Sequence, residues 1–214
     1  PMLDLRKSLA VLLLVSASGM AGAAGVYEDM LHAVNNDDDR TVAELLKKGM
    51  DVNTVGPNGE SLLMIAARHG KPQMVKTLLE ARPRVNLRNA YGETALMLAA
   101  IGGHTEVARQ LLAQNAEINH PGWTALIYAA AQNRMDMARL LISRGALVNA
   151  HADNGKTALM MASREGHLSM VLLLLEHGAD INVRNQDGQS GLALARDRER
   201  KDVVSVLSRA GATD

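Results

Sequence analysis

Short apolar blocks occur in pairs along this chain, and polar stretches separate them. In TALMLAA (94–100), the first of one such pair, Leu96, Ala99 and Ala100 fall on one face at helical spacing. The second block, VARQLLAQNAEIN (107–119), carries a Val and Leu stripe and ends in polar turn residues. The pattern predicts two short helices joined by a tight turn, with their apolar faces toward a common core.

The same pair of blocks recurs along the chain at a nearly constant spacing. Five glycines open matching segments at intervals of 33, 30, 33 and 33 residues: Gly59, Gly92, Gly122, Gly155 and Gly188. An earlier copy without the opening glycine covers residues 27–53. A period of this length is typical of stacked repeats. The predicted units are about 26–58, 59–91, 92–121, 122–154, 155–187 and 188–214.

The two ends of the array differ from its middle. The first unit carries NNDDDR (35–40), the last carries RDRERKD (196–202), and Ser208 replaces an inner leucine. A stack of repeats needs polar outer faces at its ends, because its terminal units have only one neighbour. We therefore expect the first and last units to be caps.

Local signals mark where each helix begins and ends. Thr94, Thr124 and Thr157 stand where a helix N-cap is expected, because a hydroxyl can accept from the free amides of the first turn. Glycine follows most second helices, at a position that favours a left-handed conformation. Asn115 fills that position acceptably in one unit. Arg82 fills it in another and should cost stability.

These residues resemble the ankyrin repeat over about residues 26–214. The matching pattern is G-x-T-A-L-x-x-A-A-x-x-G-H followed by V-x-x-L-L-x-x-G-A-x-V-N. Alanine replaces the family's proline after threonine, and Met or Ile replaces its histidine. The resemblance implies an all-α solenoid of six stacked helix-turn-helix units, two of them polar caps. It also implies short β-hairpin fingers and a concave face that binds other proteins.

The third finger, Ile118–Gly122, is three residues shorter than its neighbours. Pro121 also removes a backbone donor there. We expect a notch in the row of fingers at this joint, with Trp123, the only tryptophan, at an outward position and Tyr91 and Tyr128 beside it. Tryptophan and tyrosine are enriched at binding hot spots. The alternative is that Trp123 covers apolar surface exposed by the deletion.

Further contact candidates follow from the family's geometry. Because charges of both signs occur among them, no strongly polarised partner is indicated. Each alone could equally be a solvated surface residue. The finger candidates are Asn58, Arg88, Asn89, His120, His151, Asp153, Lys156, Arg184, Gln186 and Asp187. The first-helix candidates facing the groove are Arg68, His69, Gln132, Arg164 and Glu165.

Motifs for catalysis or cofactors are weak. GKT at 155–157 lacks the glycine that a phosphate loop requires five positions earlier. The seven histidines form no H-x₃-H pair, and recurring methionines such as Met97 suit a helix core better than a copper site. We predict no catalytic residue, no metal and no cofactor. Small-molecule or metal binding in the notch is the alternative to protein binding.

Composition narrows the partners and the compartment. Lysine plus arginine equals aspartate plus glutamate, at 23 each, so nothing indicates nucleic acid or an anionic membrane. The absence of cysteine excludes disulfides and thiolate chemistry. A basic Arg6–Lys7, an apolar run over 8–17 and Ala21-Gly22-Ala23 form the layout of a secretory signal. The alternative is an apolar first helix packed on the core.

The sequence therefore predicts a signal peptide over 1–23, cleaved after Ala23 or one residue later, and a mature domain over 24–214. That domain should be periplasmic or secreted, not inserted in a membrane, and monomeric alone. We expect a non-catalytic module that binds a folded protein, such as an exported enzyme or toxin, and scaffolds, stabilises or inhibits it.

Overall fold

The computed structural model describes residue 25 and residues 27–213, so the expected signal segment lies outside the described residues. Twelve helices are formed by the described residues. They are α1 (27–35), α2 (Asp39–Lys47), α3 (Leu62–Arg68), α4 (Pro72–Glu80), α5 (Ala95–Gly102), α6 (Thr105–Ala113), α7 (Ala125–Ala131), α8 (Met135–Ser143), α9 (Ala158–Glu165), α10 (Leu168–Glu176), α11 (Gly191–Asp197) and α12 (Lys201–Arg209).

The helices stack in two rows. The first helices of successive pairs pack in order, α3 on α5, α5 on α7, α7 on α9 and α9 on α11. The second helices form the other row, in which α4 lies between α2 and α6. From α3 onward, each first helix also packs on the second helix of its own pair. The all-α stack of helix-turn-helix units expected from the sequence is therefore confirmed.

Small residues let the first helices approach closely. In α5, every residue from Ala95 to Ala100 is buried, and Ala99 and Ala100 have no exposed surface. The equivalent alanines of α3 and α7 are equally buried. Leucine and methionine fill the space between the two rows, which gives one continuous core along the stack.

Hydroxyl caps start the first helices where the sequence predicts them. The Thr94, Thr124 and Thr157 hydroxyls accept from the amide three residues later, at 3.2–3.4 Å. Ser61 and Ser190 do the same for α3 and α11. Each cap contributes about 1 kcal/mol to stability.

A side-chain donor at the start of a second helix ties each pair to the one before it. Nε2 of His104 donates to the carbonyl of Arg68 at the end of α3, over 3.0 Å. The carbonyl ends of the first helices carry partial negative charge, which such donors stabilise. The equivalent donors at the other joints are Lys71, Arg134, His167 and Arg200.

The fingers connect the second helix of one pair to the first helix of the next pair. They cover residues 53–61, 86–94, 119–124, 149–157 and 182–190 and are numbered first to fifth. The expected hairpin fingers are reduced to short turns, and the antiparallel bridges among the described residues join Val55 with Ser61 and His151 with Thr157. A full finger is a β-turn closed by two main-chain bonds, such as Asn89 N to Glu93 O and Gly92 N to Asn89 O. So few residues leave no length for a ladder.

Left-handed residues end the second helices. Gly49, Gly145 and Gly178 have φ between 80° and 92°, whereas Arg82 and Asn115 adopt 53° and 61°. A side chain is unfavourable in this region because Cβ approaches the following carbonyl oxygen. Asparagine tolerates the conformation better than arginine does.

We expect Arg82→Gly to raise the free energy of unfolding by about 1 kcal/mol, because glycine removes this backbone strain. Urea denaturation of the purified protein measures this free energy of unfolding. The control is Lys76→Gly, at an exposed position inside α4, which should lower stability by about 1 kcal/mol. An Arg82→Gly protein that is less stable than the parent would contradict the inference that the backbone of Arg82 is strained.

Candidate functional site

The shortened third finger keeps its base. Asn119 Oδ1 accepts from Leu147 N at 2.8 Å, and its Nδ2 donates to the carbonyl of Gly145 at 2.9 Å. The asparagines at the bases of the other fingers, Asn53, Asn86, Asn149 and Asn182, accept in the same way from the next unit. This asparagine ladder runs through the deletion without a break, so the loss is confined to the tip of the finger.

The missing tip divides the row of fingers. Ala90 N donates to the carbonyl of Asn58 at 2.8 Å and joins the second finger to the first. Gln186 N donates to the carbonyl of Asn154 at 3.1 Å and joins the fifth finger to the fourth. Among the described residues, the third finger makes no such bond to either neighbour. Two linked pairs of fingers therefore flank a gap.

A cavity of about 340 Å³ occupies this gap, and we keep the name notch for it. Its walls come from the second and fourth fingers, and its floor comes from the shortened finger and two first helices. It is lined by Arg88, Tyr91, Gly92, Glu93, Met97, His120, Pro121, Gly122, Trp123, Tyr128 and Asp153. Six of the contact residues predicted from the sequence thus meet in one place.

An aromatic pair forms part of the notch. The Trp123 and Tyr128 rings lie 5.1 Å apart between centroids, with 31° between their planes. Both residues are half-buried and pack against the core, so the expected outward position of Trp123 is corrected. Trp123 covers the core with part of its surface and faces the notch with another part. Tyr91 stands apart from them, 77% exposed.

Glu93 holds Tyr128 in place. The Tyr128 hydroxyl donates to Glu93 Oε1 at 3.4 Å, and Asn89 Nδ2 donates to Glu93 Oε2 at 2.8 Å. Burial, followed by the nearby Glu93 charge and this hydrogen bond, raises the pKa of Tyr128 to about 12. Sequence reasoning missed Glu93. The sequence marks Glu93 only by its position, which lies between the finger glycine and the helix cap. The same position is polar in other fingers, as at Glu60 and Gln189.

The sequence predicts Asn89 as a contact residue, and the structure corrects that prediction. Its exposed fraction is only 8%. Its Oδ1 accepts from the amides of Tyr91 and Glu93, both at 2.9 Å. Asn185 makes the equivalent bonds in the fifth finger. Because these bonds use the side chain inside the turn, Asn89 shapes the finger and does not present a contact surface.

The other predicted contact residues lie along the stack, outside the lining of the notch: Arg68, Gln132, His151, Lys156 and Glu165, together with Asn58, His69, Arg164, Arg184, Gln186 and Asp187. Arg68 forms an ion pair with Glu60. Glu165 lies 3.6 Å from Arg164 between charged atoms, while His151 and Gln132 are exposed. Lys156 lines a separate cavity with Arg164 and Gln189. The structure therefore groups only part of the predicted surface into one site.

The described residues, 25 and 27–213, contain no group of three or more His, Cys, Asp or Glu side chains placed to hold a metal ion. None of their helices is long and apolar enough to cross a membrane.

The model of the family described as "Ankyrin repeats (3 copies)" matches the chain over residues 30–121, 115–185 and 147–213. These matches cover most of the sequence. The chain therefore belongs to the ankyrin-repeat family, as the motif and the stacked helix pairs indicate.

One solved complex contains a similar chain. The complex joins Bd0816, a predatory endopeptidase from Bdellovibrio bacteriovorus, to immunity protein Bd3460. The similarity has a TM-score of 0.76 and 29% sequence identity, and it covers 85% of this chain and 97% of that chain. No curated protein sequence matches the chain.

The environment of Tyr128 predicts an effect on alkaline stability. Its pKa rises from 10.0 to about 12 on folding, so its contribution to stability is complete below pH 10 and is lost as the pH rises toward 12. We expect the parent to lose more stability over this window than Tyr128→Phe does. Denaturation at a series of pH values measures the difference. Two parallel profiles would contradict the assigned environment.

Proposed function

We propose that this chain is an exported, non-catalytic inhibitor that binds a folded endopeptidase through its fingers, notch and concave face. The observation that carries the proposal is the similarity to a chain in the complex of Bd0816 with immunity protein Bd3460, which extends over nearly that whole chain. A stack of repeats presents a long ridged surface, which suits a macromolecular partner.

The notch supplies the side chains that such contacts favour. Tyr91 projects from the second finger with 77% of its surface exposed. Trp123 and Tyr128 form an aromatic pair at the floor of the notch. Large aromatic side chains lose little entropy on binding and dominate many interfaces. Arg88 and Asp153 add charges of opposite sign on the two flanking fingers, so we infer a partner surface of mixed charge.

The size of the stack is sufficient to explain how it would inhibit an endopeptidase. A stack of six helix pairs bound over the mouth of a catalytic cleft excludes substrate without any reaction of its own. Protein–protein interfaces of standard size bury about 800 Å² on each partner. An interface of that size would extend over the fingers and first helices of several units.

A small molecule in the notch is the second candidate function. The cavity volume of about 340 Å³ lies at the lower end of the range for ligand pockets, which begins near 300 Å³. We favour the protein partner, because exposed side chains from separate fingers line the cavity and the similar chain occurs in a protein complex.

The inhibitor must reach the compartment of its partner, and we propose that residues 1–23 direct its export. Expression in a bacterial host with a general secretory pathway, followed by N-terminal sequencing of the periplasmic protein, tests this. We expect the mature chain to begin at Ala24 or Gly25. A protein that retains Leu9–Val15 after fractionation would contradict export by a cleaved signal.

We expect Tyr91→Ala to weaken partner binding by about 2 kcal/mol, roughly 30-fold in the dissociation constant, and to leave folding unchanged, because its side chain is exposed. The tagged protein would first capture its partner from a periplasmic or extracellular extract, and the captured protein would be tested for endopeptidase activity. Calorimetry would then measure the affinity of each variant.

Leu172→Ala is the matched control for this experiment. Leu172 is 48% exposed on α10, in the second row of helices and away from the notch. Its loss should not change the affinity. An unchanged affinity in Tyr91→Ala would remove the notch from the interface. Recovery of a partner without peptidase activity, or an active peptidase unaffected by the bound chain, would contradict inhibition.

A further inference from the structure

The finger-to-finger hydrogen bonds follow a fixed register. At both joints where they occur, the donor lies four positions after the ladder asparagine of its own finger. The acceptor belongs to the preceding finger and lies five positions after the ladder asparagine of that finger. Ala90 N pairs with Asn58 O, and Gln186 N pairs with Asn154 O. In each finger these two positions are the centre of a β-turn, as in Ala152–Gly155, which is closed by Gly155 N to Ala152 O at 2.8 Å.

The shortened finger has no such turn. The chain reaches Thr124 five residues after Asn119, whereas the other fingers take eight residues from the ladder asparagine to the helix cap. The deletion therefore removes one donor and one acceptor from the row. By register, their missing partners are the Tyr91 carbonyl on one wall of the notch and the Asp153 amide on the other.

Both of these main-chain groups are unpaired within the described part of the chain. Tyr91 and Asp153 are exposed residues that line the notch. The notch thus has an acceptor on one side and a donor on the other, which are the main-chain partners that a turn receives from its neighbours in an undivided row. It also has an aromatic floor made by Trp123 and Tyr128.

We propose that a β-turn of the partner protein inserts into the notch and takes the place of the missing finger tip. One of its amides donates to the Tyr91 carbonyl, and one of its carbonyls accepts from the Asp153 amide. Its side chains pack against Trp123. This inference rests on the proposed function, since it assigns the part of the protein partner that the notch recognises.

A polypeptide turn fits these groups better than a charged ligand does. Peptide segments that complete an existing row of main-chain groups gain affinity from those bonds and specificity from the adjoining side-chain pockets. Arg88 shares the lining with two carboxylates, Glu93 and Asp153, so the notch offers an anion no concentrated positive charge. Glu93 already accepts hydrogen bonds from Asn89 and Tyr128. This leaves Asp153 as the one carboxylate of the lining whose side chain has no donor from a neighbour among the described residues. A turn supplies one donor and one acceptor together, as the Asp153–Asn154 centre of the fourth finger does.

Two substitutions at one position separate main-chain from side-chain recognition. Asp153→Pro removes the amide hydrogen, whereas Asp153→Ala keeps it and removes the carboxylate. Proline suits this place because position 153 is the first central residue of the β-turn, and the first finger carries Pro57 at the equivalent position. Since Asp153 N makes no bond within the described residues, Asp153→Pro should fold normally.

A third variant fills the notch from within. The segment His120-Pro121 is replaced by a copy of residues 150–154, which restores a finger of full length. Its control is a three-residue Gly-Ser-Gly insertion between Asp187 and Gly188, at the tip of the fifth finger. Circular dichroism and melting temperature would verify that both proteins are folded.

The probe is a backbone-cyclised peptide carrying the turn of residues 152–155, and the signal is the fluorescence of Trp123, the only tryptophan. Cyclisation reduces the entropy lost on binding. We expect saturable binding with a dissociation constant on the order of 1 mM. Asp153→Ala and the fifth-finger insertion should retain it. Asp153→Pro and the filled notch should weaken it at least about tenfold.

Other results overturn the inference. An unchanged Trp123 signal in the parent up to about 10 mM peptide, roughly tenfold above the expected dissociation constant, excludes recognition of a turn. Equal losses in Asp153→Ala and Asp153→Pro indicate a carboxylate contact. Self-association that the filled notch abolishes identifies a second copy as the occupant. Binding only after removal of residues 1–23 identifies that segment as the occupant. Capture of the endopeptidase tests the proposed function separately, so either idea can fail alone.

Discussion

Each helix pair buries its apolar stripe only against its neighbours, and every other feature of the molecule depends on that contact. Fully buried alanines such as Ala99 and Ala100 bring the first helices close together. Donors such as His104 then reach the carbonyl end of the preceding helix. The same close spacing aligns the fingers, which lets the asparagine ladder connect one unit to the next. A surface that extends over several units follows from this packing.

The sequence predicts the stacked helices well because their signals are local and repeated. Thr94 and its equivalents cap helices as expected, and Arg82 adopts the strained conformation that its position implies. The fingers are less predictable. Turn chemistry marks them, but their few residues form β-turns where hairpins were expected. Asn89 illustrates the difficulty: an exposed contact and a buried turn residue look the same in sequence, and only its bonds to Tyr91 and Glu93 distinguish them.

The notch is predictable as a deletion but not as a shape. Spacing alone shows that three residues are absent after Asn119. The contact of Trp123 with Tyr128, and the part of Glu93 in holding Tyr128, depend on how the remaining chain closes. The deletion does not disturb the ladder at the finger base, so the stack continues beneath it. The tips of the fingers can therefore differ in length while the stack beneath them continues.

A structure of the chain bound to its captured partner would locate the interface. We expect a partner turn to lie between the second and fourth fingers, with main-chain hydrogen bonds to the Tyr91 carbonyl and the Asp153 amide. We also expect the rest of the stack to cover the catalytic cleft of the partner. A partner seated on the second row of helices, such as α8 and α10, with the notch open to solvent would contradict this arrangement.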